Sequence, residues 1–340
     1  MSKFWIVSEL FPPDETSTSY ILGEIANACA KKYDVNVICG PEIYDRGKQI
    51  DTQHPFILNS SIQVHRVHSS VSDKSTKLKK TLSLLSMSVK LYKQAKRLIN
   101  KGDRVLLVTN PAPLIILVSR LRKKVDFELL LLVHDVFPEN LNAHKLSIPH
   151  FLYSLIKKVS DRAYARADKL IALGRDMKRV LQNKVGENKT IAIIENWADI
   201  ENINPRPFPD SDRIILQYAG NMGRAQGLVR LISELPDGVE LHFYGTGAVE
   251  NELKQMNHPN VFFHGSYFRS QQDEILGSCH ASIVSLSEKM YGIGVPSKSY
   301  NIMASGRPII YFGPSGSEIE LTIKEHHIGY IGWPEKWIKW

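Results

Sequence analysis

The sequence predicts an α/β protein made of two doubly wound domains, each a mostly parallel sheet with helices on both faces. Three observations carry this. The 340 residues exceed what one ordinary hydrophobic core organises. Short apolar runs rich in branched residues alternate with amphipathic stretches, the pattern of βα units. That alternation stops at a polar, proline-rich stretch, NINPRPFPDSD at 202 to 212, and then starts again.

In the first half the strand candidates are FWIVS (4 to 8), VNVIC (35 to 39), VLLVT (105 to 109), ELLLLV (128 to 133), KLIAL (169 to 173) and TIAIIE (190 to 195). In the second they are IILQYAG (214 to 220), VELHFYG (239 to 245), VFFHG (261 to 265), ASIVSL (281 to 286) and PIIYFG (308 to 313). The expected division is a first domain over 1 to 203, a linker over 204 to 212 and a second domain over 213 to 340. Doubly wound sheets bind ligands at the carboxyl ends of their strands, so two of them facing an interdomain cleft would present loops from both sides. The informative loops follow strands: ELFPPDETSTSY (9 to 20), HDVFPE (134 to 139), AGNMGRAQG (219 to 227), FYGTG (243 to 247) and HGSY (264 to 267).

The composition is 43% hydrophobic and 23% charged, with no apolar stretch long enough to span a bilayer. The start, MSKFWIVSELFPP, reads as a first strand in place of a signal peptide, so a cytoplasmic location is expected. Cys29, Cys39 and Cys279 have no CxxC spacing and suit reduced thiols, with no metal site. A net charge of +8 asks for an anionic partner: nucleic acid, an acidic membrane surface or a phosphorylated ligand. Lys74, Lys77, Lys79, Lys80, Lys90, Lys93, Lys96, Arg97 and Lys101 occur with no acid between them, and Leu78, Leu82, Leu85 and Val89 recur at helical spacing beneath them. This helix admits two readings, a solvated surface or a face against anionic lipid headgroups. Nucleic acid is disfavoured, because the run lacks interleaved aromatics and no binding motif is present.

Gly220, Gly223 and Gly227 leave a strand and enter the stretch GLVRLISEL, with Arg224 beside them. Such a loop is either a tight turn or an anion site, and its spacing does not match the dinucleotide fingerprint GxGxxG. The segment GVPSKSYNIMASGRPII (294 to 310) predicts a helix over 298 to 305, with Ser297 as cap, Lys298 beside its start, Gly306 as terminator and Pro308 beyond. A phosphate or pyrophosphate would suit its start. His134 follows LLLLV and precedes Asp135, which puts an imidazole at a strand's carboxyl end. Thr16, Ser17, Thr18, Ser19 and Tyr20 form a hydroxyl-rich stretch fit to cap a helix or to bind polar ligand groups. HExxH, GxxxxGK and GxSxG are absent, which removes several hydrolase and phosphotransferase classes.

From FPPDETSTSY through HDVFPE, IIENWAD (193 to 199), AGNMGRAQGL and FYGTG to VPSKSYNIMASGRPII and SEIELTIKEHHIGY, the chain resembles retaining glycosyltransferases of family 4. These have the GT-B fold of two Rossmann-like domains. It most resembles the branch that builds O-antigen, capsule and exopolysaccharide units on a lipid carrier. The resemblance implies a transfer of a sugar, a hexose or an N-acetylated amino sugar, from a nucleotide diphosphate donor of the UDP class to a polyprenyl-diphosphate-linked acceptor. No cofactor or metal is implied, and the enzyme would lie on the inner face of the cell membrane.

By the same resemblance His134, Lys298 and Arg224 would act in catalysis. Gly220, Asn221, Gly223 and Gln226 would lie near the donor phosphates, and Gly245, Gly247 and Tyr267 near the base. Tyr291, Gly292, Ile293, Gly294, Val295 and Pro296 would face the sugar, Ser297 the pyrophosphate, and Asn301 the donor. Thr16, Ser17, Tyr20 and Asp135 would lie on the acceptor side. Three features depart from the family. Ile293 and Asn301 stand where two glutamates are usual, Asn221 and Gln226 replace the Arg and Lys of the glycine loop, and the chain stops at IGWPEKWIKW, short of the usual end. Two alternatives remain: a sugar-nucleotide epimerase on the same fold, and a non-catalytic membrane-associated subunit that binds a sugar nucleotide.

Overall fold

A computed structural model describes residues 2 to 42, 50 to 68, 77 to 143 and 148 to 334. The chain divides into two compact units, Met1–Leu141 with Leu146–Glu195, and Asn196–Trp340 with Asn142–Lys145. The division thus falls ahead of the expected linker.

The first unit runs β1 (Phe4–Val7), α1 (Ser17–Ala30), β2 (Val35–Cys39), β3 (Gln63–Arg66), α2 (Lys77–Leu98), β4 (Arg104–Val108), α3 (Pro113–Leu121), β5 (Glu128–Leu132), α4 (Glu139–Ala143), α5 (His150–Ala165), β6 (Lys169–Ala172), α6 (Arg175–Val185) and β7 (Ile191–Ile193). Its seven-stranded sheet has the order β3-β2-β1-β4-β5-β6-β7. Every pairing in it is parallel, with Phe4 opposite both Val35 and Arg104 in register. All of β1 and β2 is buried, the signature of strands covered on both faces. α3 packs against α2 on one side and α5 on the other.

α2 corrects the sequence reading. Leu82, Leu85 and Val89 are exposed, at 50%, 46% and 43%. The stripe turned into the unit is Ser83, Met87, Leu91 and Ala95, one helical position round, where small residues let α3 approach. Lys74 lies outside the described residues.

The second unit runs β8 (Ile214–Ala219), α7 (Leu228–Ser233), β9 (Val239–Tyr244), α8 (Glu250–Gln255), β10 (Val261–Phe263), α9 (Gln272–Gly277), β11 (Ala281–Ser285), α10 (Lys298–Ala304), β12 (Ile309–Phe312), α11 (Glu318–His326) and β13 (Gly329–Ile331). The strands form a six-stranded sheet in the order β10-β9-β8-β11-β12-β13, again parallel throughout. Its core includes Leu216, Tyr218, Phe243, Ile283 and Ile310. The proline-rich stretch is tied down against this unit. Arg307, 3% exposed, gives its guanidinium hydrogens to the carbonyls of Arg206, Pro207, Leu276 and Gly277, and lies over the Phe208 ring. No helix among the described residues is long and apolar enough to cross a membrane.

Candidate functional site

In the second unit, the loops that leave β8, β9 and β10 lie side by side and are joined through their backbones. Gly220 N–H donates to Tyr244 O at 2.9 Å, Met222 N–H to Thr246 O at 2.9 Å and Gly245 N–H to Gly265 O at 2.6 Å. The approach is so close that a Cβ on Gly245 would stand 2.2 Å from Gly220 O, and one on Gly247 would stand 2.4 Å from Met222 O. Small residues are therefore required by the contact itself. The loop after β8 is also held from β11, where Ser285 Oγ donates to Gln226 O and Ser287 N–H to Ala225 O. Gly220, Gly223, Gly245 and Gly247 thus belong to one rigid ledge at the carboxyl edge of this sheet.

Lys298 faces that ledge. Its Nζ lies 3.4 Å from the centroid of the Tyr218 ring and 3.5 Å from the place a Cβ on Gly220 would take. The ammonium is buried and has no hydrogen-bond partner among the described residues. Burial pushes its pKa down to about 7. Tyr218 is itself fixed, its hydroxyl donating to Asn221 O at 2.8 Å. A buried cation held only by an aromatic face is costly unless an anion joins it. Tyr218 was not singled out from the sequence, where it reads as one more apolar strand residue.

The other candidates in this unit separate into groups. Arg224 and the Asn221 side chain are exposed, while Gln226 Oε1 is buried without a partner among the described residues. Tyr267 meets Tyr244 edge to face, and burial, partly opposed by Arg269, raises its pKa to about 12. Tyr291, Gly294, Pro296 and Ser297 are half-buried, and Gly292, Ile293 and Val295 are buried. Ser297 does not cap α10 with its side chain, contrary to expectation: its backbone is already helical, and the first turn closes on the carbonyls of Pro296 and Ser297. The helix ends as expected, Gly306 at φ +70° with Gly306 N–H on Met303 O and Arg307 N–H on Ile302 O. Asn301 is turned to internal bonds, accepting from Asp199 N–H and donating to Gln272 Oε1, both at 2.9 Å. The spacing of the motif gave no sign of that capture.

In the first unit the structure brings the hydroxyl-rich stretch to His134. Thr18 Oγ1 lies 3.2 Å from His134 Nδ1. Thr16 caps α1 by accepting from Ser19 N–H, Ser17 is exposed, and Tyr20 packs edge to face on Phe56. Thr109 Oγ1 accepts from both His134 N–H and Asp135 N–H, at 3.0 and 3.1 Å. His134 Nε2 is buried with no partner among the described residues, and burial pushes the imidazole pKa down to about 4, so the ring is neutral near pH 7. Asp135 is exposed. Among the described residues no group of His, Cys, Asp and Glu is arranged to hold a metal ion.

Comparison with known proteins agrees with this geometry. The family model described as Glycosyltransferase Family 4 matches residues 19–202. The probable glycosyltransferase WbjE of Pseudomonas aeruginosa is 30% identical over 352 aligned positions, covering 97% of this chain and 85% of that protein. Among solved structures, Anabaena HepE in complex with UDP and glucose superposes with a TM-score of 0.65 at 15% identity, covering 98% of this chain and 86% of that one. The lipopolysaccharide outer core galactosyltransferase WaaB superposes with a TM-score of 0.57 at 15% identity, covering 97% and 92%. Two all-parallel sheets, the second with glycine-rich loops at its carboxyl edge, and a sequence match over almost the whole chain make this protein a glycosyltransferase of family 4 with the GT-B fold.

Proposed function

We propose that the enzyme moves a sugar from a nucleoside diphosphate donor, with retention at the anomeric carbon, to a lipid-linked acceptor in the assembly of a bacterial surface polysaccharide. The observation that carries this is Lys298, a buried ammonium with no hydrogen-bond partner among the described residues, aimed at a glycine ledge. A diphosphate there would give the cation its missing partner. As the bond to the sugar breaks, negative charge builds on that diphosphate, and Lys298 would offset it. The reading needs no metal ion, and it takes a UDP-linked sugar as co-substrate, a class supported by the UDP bound to HepE. His134, neutral and with Nε2 uncommitted among the described residues, suits a contact to the sugar near the reacting carbon. The likeness to WaaB, a lipopolysaccharide enzyme, and the basic helix α2 support a surface-glycan acceptor met at the inner face of the membrane.

The test is transfer from a panel of nucleotide sugars to a polyprenyl-diphosphate-linked acceptor, with and without Lys298→Ala. Product that needs both substrates, and a fall in kcat of about 100-fold in the variant with folding intact, is the expected result. An unchanged rate at saturating donor would remove Lys298 from the mechanism. Conversion of the donor sugar in the absence of acceptor would indicate an epimerase instead, and donor binding without turnover on any acceptor would indicate a non-catalytic subunit.

A further inference from the structure

The turn that carries His134 ends on a charge cluster, built around one buried lysine, that no part of the proposed chemistry uses. Residues 134 to 139 leave β5 and enter α4, and Glu139 is the first residue of α4. Lys184, on α6, has a side chain only 1% exposed and donates to both carboxylate oxygens of Glu139 at 3.0 Å. It donates as well to Asp161 on α5. Lys157 completes the square, 3.1 Å from Glu139 and 2.8 Å from Asp161. Two cations and two anions balance. Burial works against the Lys157 charge, but its bonds to Asp161 and Glu139 outweigh that and raise its pKa.

The square lies against the same turn at a second place. Lys184 Nζ is 5.0 Å from the centroid of the Tyr164 ring, and the Tyr164 hydroxyl accepts from Phe137 N–H at 3.2 Å. The start of the turn is held separately, by Thr109. The turn is therefore pinned at its start by a hydroxyl, at its middle by a buried phenol and at its end by a lysine. A solvent-exposed pair would hold little, whereas Lys184 is dry and multiply bonded, so its geometry is fixed.

We propose that Lys184 is a positioning residue for His134: through Glu139 it sets where the turn, and hence the imidazole, stands relative to the donor sugar. This rests on the reading that His134 meets that sugar. Misplacement by about 1 Å is enough to slow a reaction up to about 100-fold without loosening the binding of remote groups.

Lys184→Met alone leaves two half-buried carboxylates facing one lysine and puts folding at risk, so the decisive protein is Lys184→Met with Glu139→Gln, in which Asp161 and Lys157 remain paired. The full chain is assayed for Tm, donor KM and kcat. The expected result is a Tm near the parent's, a donor KM within about twofold, and a kcat lowered by about 10- to 100-fold. Placed on His134→Ala, the same two substitutions should cost no further turnover, because no imidazole is left to misplace. A double variant with parental kcat overturns the proposal and leaves the role of His134 standing if His134→Ala is slow. A silent His134→Ala overturns both. An equal further loss on the His134→Ala background also overturns the proposal, since the square would then act through general structure.

Discussion

Lys298 stores an unmet charge. Its pKa of about 7, set by burial, lies far below the range of a lysine in an unfolded chain. Between about pH 7 and 10.4 the unfolded chain therefore holds a proton that the folded one lacks, and this group makes stability rise with pH across that window. Below it both states are protonated and the full burial cost of the charge remains. A bound diphosphate favours the charged form and pushes the pKa back up. Binding of UDP at pH 8 should thus take up most of one proton. Calorimetry in two buffers of different ionisation heat measures this directly, and Lys298→Met should abolish the uptake while leaving Tm equal to the parent's or higher. Identical apparent heats in both buffers for the parent protein would sever Lys298 from the phosphates. His134 runs the same way at lower pH: its native pKa is about 4, so stability from this group is lost as pH falls from about 6.5 toward that value.

At the scale of elements the ledge depends on backbone meeting backbone. Gly245 combines a φ of +115° with a Cβ position 2.2 Å from Gly220 O, whereas Gly238 has a φ of +77° and nothing within 4 Å. Gly238→Ala should cost only the left-handed penalty, about 1 kcal/mol. Gly245→Ala must also force two loops apart, and should cost about 3 kcal/mol and weaken nucleotide affinity at least tenfold. Thermal melts and UDP titration of the two variants separate the effects; equal losses would mean that the close approach is not a constraint. The glycines were legible in the sequence as glycines that follow strands, whereas the partner loop that requires Gly245 and Gly247 was not. So were the central strands, whose burial on both faces writes continuous apolar runs. β3 (Gln63–Arg66) and β13 (Gly329–Ile331) escaped, being edge strands with half-exposed, mixed residues. Long-range pairings left no signal: Glu139 meets Lys184 across 45 positions, and Asn301 meets Asp199 across 102. α2 was misread because its buried stripe of Ser83, Met87, Leu91 and Ala95 carries a single leucine, while Leu82, Leu84 and Leu85 lie on the other side.

For the whole molecule, that misreading changes where part of the net charge of +8 is displayed. Along α2 the residues Lys79, Leu82, Leu85, Val89, Lys93 and Lys96 fall three or four apart and all are exposed, so apolar side chains sit between cations on one outward stripe. α5 repeats the arrangement with Phe151, Leu155, Lys158 and Arg162, of which Phe151 is 76% exposed. Both helices flank α3, and each ends beside the amino end of its next strand. Their first halves therefore lie toward the carboxyl edge of the sheet, the edge that bears His134. Apolar tips flanked by lysines suit shallow insertion into an anionic bilayer, about 1 kcal/mol for each cation and up to about 2 kcal/mol for each apolar side chain buried. Vesicles with anionic lipid should bind the protein, and neutral ones should bind it weakly. Phe151→Ser with Leu155→Ser should lower affinity for anionic vesicles at least tenfold, and Lys93→Glu with Lys96→Glu should do so in a manner that high salt masks in the parent. Both pairs should keep the parental rate on a water-soluble acceptor analogue, because all four side chains are exposed and none is among the residues that build the ledge or hold the His134 turn. Undiminished vesicle binding by the serine variant would show that the apolar stripe is not what meets lipid. If light scattering finds a dimer that the same substitutions dissociate, the stripe is a subunit interface instead.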